Sequence, residues 1–370
     1  MSNVSVTSDG FSYHTVELKY HPEKTDYHSL LAKCYKSSTG KSRCRDGTIY
    51  ALKKYQKDAE THCCTLLSGH GILIYFTKSV HGYTIKAVVN PRRVLDVESD
   101  YLGIMKPDQI SFGQFQDRFT ALMRKYGFPE FLDDWTLSRV DLCVNLVFDK
   151  KKSASEVLRL AKKSLFKRPM EMETFSDPDM NRHSLRLKNG SRALTVYDKL
   201  FQMEAEGLKR AKGKKYQGVL RVELQLKHRA LKEVCQKTGL WEPSELLQFL
   251  GENSQKMILK AVQDVFPDGS HWKPKEAIKR IRSSHYQKHT KEQLIWLVKR
   301  LRYAFTENTL IKNAKTEAGL SVRTVNKRLD QLKKLGIHPI PLRSDFYLDR
   351  LPSLPDLLST VDEDGLDLEL

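Results

Sequence analysis

The alternation of apolar and polar residues predicts strands in the first third of the chain. Residues 13–20 alternate within a polar stretch and predict a strand at the edge of a sheet, and residues 71–77 and 83–89 predict a hairpin. Residues 108–127 have apolar positions at helical spacing and predict an amphipathic helix. Residues 31–68, rich in Ser, Lys and Cys, predict no particular element.

The middle of the chain predicts further strands. Residues 137–148 are β-branched and aliphatic, which is typical of a buried strand. Residues 183–188 and 192–197 flank Asn189-Gly190, the dipeptide that most strongly favours a two-residue hairpin turn. Residues 219–226 predict the last strand of this region. The pattern as a whole predicts an α+β fold with an antiparallel central sheet, flanking helices and a helical C-terminal region.

Helices are predicted around and after these strands. Residues 150–165 predict a basic amphipathic helix, residues 170–182 a polar loop, and residues 227–305 only helices and loops. Residues 306–336 read as a helix, a Gly-containing turn and a basic helix that Ser321 caps, which is the outline of a helix-turn-helix. A plain helical hairpin with a solvated basic face fits the same pattern.

These elements predict four regions along the chain. They are an N-terminal strand with a poorly defined segment (1–68), a sheet domain (69–230), a helical region (231–350) and an acidic, disordered tail (351–370).

Charge narrows the class of partner. The formal net charge is +18, and because six of the 45 acidic residues and none of the 63 basic ones follow Arg350, residues 1–350 carry +24. A body this basic favours a polyanion, since Lys and Arg release condensed counterions from phosphate. No apolar run is long enough to span a bilayer and the N-terminus does not resemble a signal peptide, so we expect a cytoplasmic protein.

Six cysteines are present, and a reducing cytoplasm favours free thiols over disulfides. A zinc site is the alternative, built from Cys34, Cys44, His62 and Cys63 or Cys64. These residues include no CxxC or HxxxH pair that would support it.

Two strands repeat an Arg-x-acid pattern. Residues two apart share one face of a strand, so Arg139 lies beside Asp141 and Arg221 beside Glu223, each next to an apolar face. If the strands are neighbours, the two carboxylates meet and repel unless a cation or proton lies between them. Oxygen ligands favour Mg²⁺ or Mn²⁺. Two structural Arg–acid pairs on a solvated sheet face fit the spacing equally well.

A tyrosine belongs to the strand between them. Tyr197 shares a face with Thr195 and Lys199, whereas Arg192 lies on the opposite face. A tyrosine hydroxyl has a pKa of about 10, so it attacks only when cations stabilise the phenolate. Lys199, Arg192 and a metal ion are the candidates for this role.

The segments Ser138-Arg-Val-Asp141, Arg192-Ala-Leu-Thr-Val-Tyr-Asp-Lys199 and Leu220-Arg-Val-Glu-Leu-Gln225 occur in this order. Together they resemble the replication initiators of filamentous phages and related phage and plasmid rolling-circle initiators. Residues 85–95 and the segment from Gly319 to Ile337 are also similar to that family. The resemblance covers roughly residues 70–340.

The resemblance implies a relaxase-like nicking domain at 69–230 with Tyr197 as the nucleophile. Such an initiator cuts one strand of double-stranded origin DNA, joins its tyrosine to the 5′ phosphate, and later rejoins the displaced single strand. Asp141 and Glu223 are then metal ligands for Mg²⁺ or Mn²⁺, and Lys199 assists Tyr197. No phosphate loop of the Gly-x-x-x-x-Gly-Lys type is present, so a host helicase is an expected partner. Contacts to DNA are expected from Arg139, Arg186, Arg192, Arg221, Arg323 and Lys327.

One departure bears on the metal. Many rolling-circle initiators hold their ion with a His-hydrophobe-His triplet, and this chain has none, which leaves carboxylates as the candidates. Tyr216 is a second tyrosine that could serve in the joining step. The alternative function is a non-catalytic DNA-binding regulator that reads an operator through residues 306–336. An RNA-binding protein is disfavoured because no Gly-Phe run of the RNP type is present.

Overall fold

The computed structural model describes residues 6–37, 49–52, 60–99, 101–163, 170–208, 218–301 and 307–361. The fold is α+β, as the pattern predicts. Its strands are β1 (Val6–Tyr20), β2 (Ile49–Leu52), β3 (Glu60–Cys64), β4 (Ile72–Ser79), β5 (Gly82–Val89), β6 (Thr136–Phe148), β7 (Glu171–Glu173), β8 (Ser184–Lys188), β9 (Arg192–Asp198), β10 (Gly218–Lys227), β11 (His271–Trp272) and β12 (Arg350–Leu351). Within the described residues, ten of these strands form one antiparallel sheet in the order β2-β3-β4-β5-β1-β6-β10-β9-β8-β7, and β11 pairs with β12.

Helices follow and flank these strands. They are α1 (Lys24–Ser37), α2 (Pro91–Leu95), α3 (Gln109–Tyr126), α4 (Lys151–Lys163), α5 (Pro178–His183), α6 (Lys199–Ala205), α7 (His228–Thr238), α8 (Pro243–Glu252), α9 (Ser254–Val265), α10 (Pro274–Ser283), α11 (Lys288–Leu301), α12 (Glu307–Ala318), α13 (Val322–Lys334) and α14 (Leu354–Thr360). Among the described residues, no helix is both long and apolar enough to cross a membrane.

The first strand lies in the middle of the sheet. β1 is predicted to be an edge strand, but it pairs with β5 on one side and β6 on the other. The prediction is wrong because its polar side chains do not face solvent along an open edge. They share a polar sheet face with those of β6, while Val16 and Leu18 are buried on the apolar face.

One face of the sheet carries the main hydrophobic core. In β6 the side chains of Val140, Leu142, Val144 and Leu146 are fully buried. Helices α4, α7 and α9 pack on β6 and β10, and α8 and α9 also pack on β1. The helices α7–α9 lie within the region 231–350 that is predicted to be separate, yet their apolar faces complete the core of the sheet domain. Burial of one such aliphatic side chain stabilises the fold by about 1.5–3 kcal/mol.

The opposite face is polar and is covered only in part. A small cluster of Leu102, Leu200, Met203 and Val219 brings α6 and the segment before α3 onto this face. α3 itself has the predicted bounds to within a residue and ends at Gly127, whose φ of 74° is a left-handed conformation that glycine tolerates.

Both predicted hairpins are present. β4 and β5 pair directly, with Ser79 opposite Gly82. In the β8–β9 hairpin the two central turn residues are Gly190 and Ser191, because Asn189 N donates to Arg192 O at 2.9 Å. The Asn189 side chain accepts from the backbone N–H groups of Ser191 and Arg192, at 3.0 and 2.9 Å. Asn189 therefore occupies the first position of the turn and caps it. The two central turn residues lie one position later in the chain than predicted.

Short elements lie where the pattern predicts none, and β7, α5 and β11 are examples. β7 and α5 lie in the predicted loop 170–182, where α5 begins with Pro178 behind an Asp177 cap. β11 lies in a region predicted to hold only helices and loops. Each has six residues or fewer, and elements this short leave too few positions for a period to be visible.

The predicted disordered tail is wrong for residues 351–361. Ser353 caps α14, and Leu354, Leu357 and Leu358 are buried against the core. Tyr347 Oη, just before this segment, lies 2.6 Å from Ser153 Oγ of α4. The leucines of this segment are therefore buried although acidic residues lie close to them in the chain. Residues 362–370 lie outside the described residues.

The helices α12 and α13 lie within the range 306–336 that is predicted to hold a helical pair. Ser321 caps α13 by accepting from Thr324 N at 3.2 Å. A second small core joins this unit to α10 and α11; its members are Ala277, Ile281, Leu294, Val298, Leu332 and Ile337.

Candidate functional site

The polar face of the sheet brings the predicted chemical residues together. β10 lies between β6 and β9, so that Glu223 is opposite Cys143 on one side and Thr195 on the other. Arg221 is opposite Tyr197 in the same register. The two Arg-x-acid strands are therefore neighbours, and the tyrosine strand lies directly beside them.

Tyr197 is hydrogen-bonded to one of the predicted carboxylates. Its hydroxyl donates to Glu223 Oε2 at 3.2 Å, and the residue is only 8% exposed. Burial raises the pKa of Tyr197 well above 10, and the negative charge of Glu223 raises it further, against the opposing effect of Arg221. The tyrosine is therefore neutral in the free protein, with its proton held against a carboxylate.

The two carboxylates differ in their partners. Burial raises the pKa of Glu223 to about 7, and the negative charge of Asp141 adds to this. Burial also raises the pKa of Asp141, although its hydrogen bonds with Arg139 oppose the shift. Arg139 binds Asp141 through both Nε, at 2.8 Å, and Nη2, and Gln225 Nε2 donates to the same carboxylate at 3.2 Å. Asp141 thus accepts three hydrogen bonds from two residues, whereas Glu223 accepts the hydrogen bond of the tyrosine.

Arg221 is fully buried and serves the architecture of the site. Its Nε donates to Asn145 Oδ1 at 2.8 Å and its Nη2 to Leu102 O at 2.8 Å. Asn145 Nδ2 donates to the same carbonyl at 2.7 Å. The guanidinium therefore fixes the segment before α3 on the polar face. Arg221 also interacts electrostatically with Tyr197. After burial, the charge of Tyr197 has the largest effect on the pKa of Arg221, which it raises.

Lys199 lies beside Tyr197 although it does not belong to the strand. Asp198 caps α6 by accepting from Phe201 N at 3.0 Å, and Lys199 is the first helical residue. Its Nζ lies 5.9 Å from the centre of the Tyr197 ring and donates to Gln202 Oε1 at 2.8 Å. Burial lowers the pKa of Lys199 to about 7, and the positive charge of Arg221 lowers it further. The helix start replaces the predicted strand continuation but keeps the cation near the tyrosine.

The other predicted arginines divide between the two faces. Arg186, opposite Thr195, extends the polar face, where it pairs with Glu173 at 3.2 Å and donates to Gln225 Oε1 at 3.4 Å. Arg192 instead pairs with Glu233 of α7, at 3.6 Å, on the side of the helices. The structure therefore does not bring Arg192 to the tyrosine.

A histidine that sequence reasoning missed belongs to this face. Burial lowers the pKa of His14 well below 6.5, and the positive charges of Arg221, Lys199 and Arg139 lower it further. Period-two alternation from Val16 assigns His14 to the apolar face, but an irregularity in the pairing of β1 with β6 moves it. Asn145 was also missed, although its spacing from Cys143 places it on the polar face.

The two predicted residues of the helical unit lie far along the chain from this cluster. Arg323 and Lys327 are exposed on the first two turns of α13, together with Val322. They form a basic surface at the N-terminal half of a capped helix.

The cysteines of the described residues are buried, free thiols. Cys34 and Cys64 are hydrogen-bonded to each other, which raises the pKa of Cys34 and lowers that of Cys64. Cys44 of the alternative zinc site lies outside the described residues. Among those that are described, no group of three or more His, Cys, Asp and Glu side chains is arranged to hold a metal ion.

No family model matches this chain, and no curated protein is significantly similar in sequence.

Proposed function

We propose that this protein nicks and rejoins DNA as a rolling-circle replication initiator, with Tyr197 as the nucleophile. The observation that carries the proposal is the 3.2 Å hydrogen bond from Tyr197 to Glu223 in a buried cluster that also contains Arg221 and Lys199. A core tyrosine needs only one neutral acceptor. Here the hydroxyl has a carboxylate for its proton and cations for the resulting phenolate, which is what an attacking tyrosine requires.

The reaction follows from these partners. The Tyr197 oxygen bonds to phosphorus, the bond from phosphorus to the 3′ oxygen breaks, and the tyrosine proton passes to Glu223. The 3′ oxygen takes a proton, for which the Lys199 ammonium is our candidate. Arg221 stabilises the charge on Tyr197 during the attack. The tyrosyl ester conserves the phosphodiester bond, so that the reverse step reseals the strand.

A divalent ion remains part of the proposal. Asp141 and Glu223 would hold Mg²⁺ or Mn²⁺, and the ion would neutralise the phosphoryl oxygens. The mutual repulsion of the two carboxylates, which contributes to the raised pKa of Glu223, fits such an ion. Asp141 would have to share its oxygens between the ion and Arg139. The steps described above use only side chains of the protein.

Binding to the origin is assigned to a second surface. We propose that the α12–α13 unit is a helix-turn-helix whose second helix presents Arg323 and Lys327 to double-stranded DNA. Arg139 and Arg186 line the polar face and would contact the strand to be cut. A separate host helicase would unwind the DNA, and the reaction would take place in the cytoplasm, where the replicating DNA lies.

The test is a covalent-adduct assay. We expect wild-type protein, supercoiled DNA of its own replicon and Mg²⁺ or Mn²⁺ to give nicked DNA carrying protein. Digestion and mass spectrometry should place the nucleotide on Tyr197, and Tyr197→Phe should form no adduct. Tyr83→Phe, a partly buried tyrosine of β5 in the same sheet, is the matched control and should react normally. An adduct on another tyrosine, or full nicking by Tyr197→Phe, would disprove the assignment.

The alternative is a regulator that binds DNA without cutting it. The exposed basic start of α13 favours this possibility, since it needs no chemistry on the sheet. Tight, sequence-specific binding with no nick under any divalent ion would establish it. In that case Tyr197→Phe would leave every measured property of the DNA complex unchanged.

A further inference from the structure

His14 is an ionisable residue of the polar face to which the proposed reaction gives no role. In the pairing of β1 with β6, Tyr13 is opposite Leu142 while Thr15 is opposite the adjacent residue, Asp141. His14 is therefore the extra residue of a β-bulge. Bulges re-aim side chains and are frequent beside active sites. The cations that act on the ring all belong to the proposed site.

The two ring nitrogens of His14 are in different situations. Nδ1 lies 2.8 Å from Thr15 Oγ1. Nε2 is buried and has no hydrogen-bond partner among the described residues, and the same is true of Ser12 Oγ, two residues earlier on β1. Ser12 is opposite Cys143, in the centre of the polar face. A buried polar atom without a hydrogen-bond partner is energetically unfavourable. Two of them on one short stretch indicate a place where a bound group completes the hydrogen bonds.

The unused hydrogen-bonding atoms at this place, together with the cations beside them, fit an oxyanion. Three cationic side chains, Arg139, Arg221 and Lys199, face the two carboxylates of the site, and Arg139 is already paired with Asp141. Arg221 Nη1 is also buried and has no hydrogen-bond acceptor within the described part of the chain. A guanidinium N–H can only donate. The unused polar atoms here therefore include a fixed donor that lies near the cations of the site.

We propose that His14 Nε2–H donates a hydrogen bond to a non-bridging oxygen of the phosphodiester that Tyr197 attacks. The inference rests on the proposed function and adds to it a substrate-contacting residue. In the proposed arrangement the Thr15 hydroxyl donates to Nδ1, which keeps the ring proton on Nε2. Negative charge on the phosphoryl oxygens is distributed anew during transfer, and donors aimed at them stabilise the transition state. His14 keeps its proton throughout.

The tautomer can be tested without any DNA. ¹⁵N NMR of histidine-labelled full-length protein reports which nitrogen carries the proton, and the His14→Gln spectrum assigns the signal. We expect the Nε2–H form at neutral pH. The Nδ1–H form would overturn the inference, because the lone pair of Nε2 would then face the site and would suit a metal ion instead.

The role in the reaction needs a kinetic test. We expect His14→Ala to form the covalent adduct about 10²-fold more slowly, as for the loss of one oxyanion donor. His14→Gln, which keeps an N–H donor, should recover at least tenfold. Affinity for uncut DNA, measured with Tyr197→Phe in the background, should change less than threefold, and exposed His81→Ala should behave as wild type.

Each outcome of this experiment decides something. If His14→Ala forms the adduct at the wild-type rate, or loses DNA affinity and rate by the same factor, His14 does not contact the reacting phosphate and the nickase proposal stands. If wild-type protein forms no adduct with any DNA, the nickase proposal fails and the role of His14 fails with it. Cooperative unfolding of each variant, followed by circular dichroism, excludes loss of fold as the cause.

Discussion

Replacement of Arg221 by methionine tests whether the buried guanidinium holds the site together. Two hydrogen bonds at 2.8 Å, to Asn145 and to the Leu102 carbonyl, are lost. Hydrogen bonds of charged groups contribute about 1.5–3 kcal/mol each. The Leu102 carbonyl keeps the Asn145 amide as a donor, and methionine avoids the cost of burying a charge. We therefore expect a net loss of about 3–5 kcal/mol, as for other broken buried ionic networks.

The assay is urea unfolding of the full chain, with hydrogen exchange of residues 101–107 as a local probe. Arg221→Met should lower the unfolding free energy by the stated amount and should speed exchange in this segment. Arg221→Lys keeps the charge but cannot bridge both acceptors, so it should lose at least half as much. Arg192→Met, whose ion pair with Glu233 is half exposed, is the control and should lose less than about 1 kcal/mol. An Arg221→Met protein within 1 kcal/mol of wild type would refute the structural role.

Two other predictions concern the α12–α13 unit and the buried histidine of β11. Arg323→Ala and Lys327→Ala should each weaken origin binding and reduce the slope of log K against log salt concentration by about 1. Lys260→Ala on α9 is the control and should do neither. Equal effects at all three positions in a filter-binding titration would contradict a specific role of α13. The rings of His271 and His338 lie 3.8 Å apart, and burial lowers the pKa of His271 to about 4. The unfolded chain takes up this proton near pH 6.5, so stability should be complete above that pH and fall by about 2 kcal/mol by pH 5 from His271 alone. Urea midpoints should show a shallower pH dependence in His271→Asn, and an identical slope in both proteins would count against this assignment.

Sequence periodicity was sufficient to predict the strands that carry the residues of the candidate site. β6, β9 and β10 begin and end within a residue or two of the predicted bounds. The assignment of Asp141, Glu223 and Tyr197 to polar strand faces is consistent with the register of the sheet. Period-two alternation is a local property of an extended chain, and one face of each strand had to be apolar to cover the core. The grouping of these residues therefore needed no knowledge of the fold beyond the pairing of their strands.

Pairwise contacts could not be predicted in the same way. Arg221 was expected to contact DNA, yet its side chain is buried beneath a segment that precedes it by about 120 positions. Arg192 was a candidate to stabilise the phenolate of Tyr197, but it is paired with a helix on the other face. Side-chain partners of this kind depend on which segment covers each face, and long-range packing decides that.

The sequence by itself determined which residue types stand at which strand positions, and therefore that a tyrosine, two carboxylates and several cations could share one polar face. Only the tertiary structure decided which of them touch. The central position of β1 and the bulge that turns His14 onto this face come from pairing with β6. Burial moves the pKa values of Glu223 and Lys199 to about 7, and α6 and the Leu102 segment provide that burial. Local alternation is encoded residue by residue, whereas burial and register arise only when distant segments pack together.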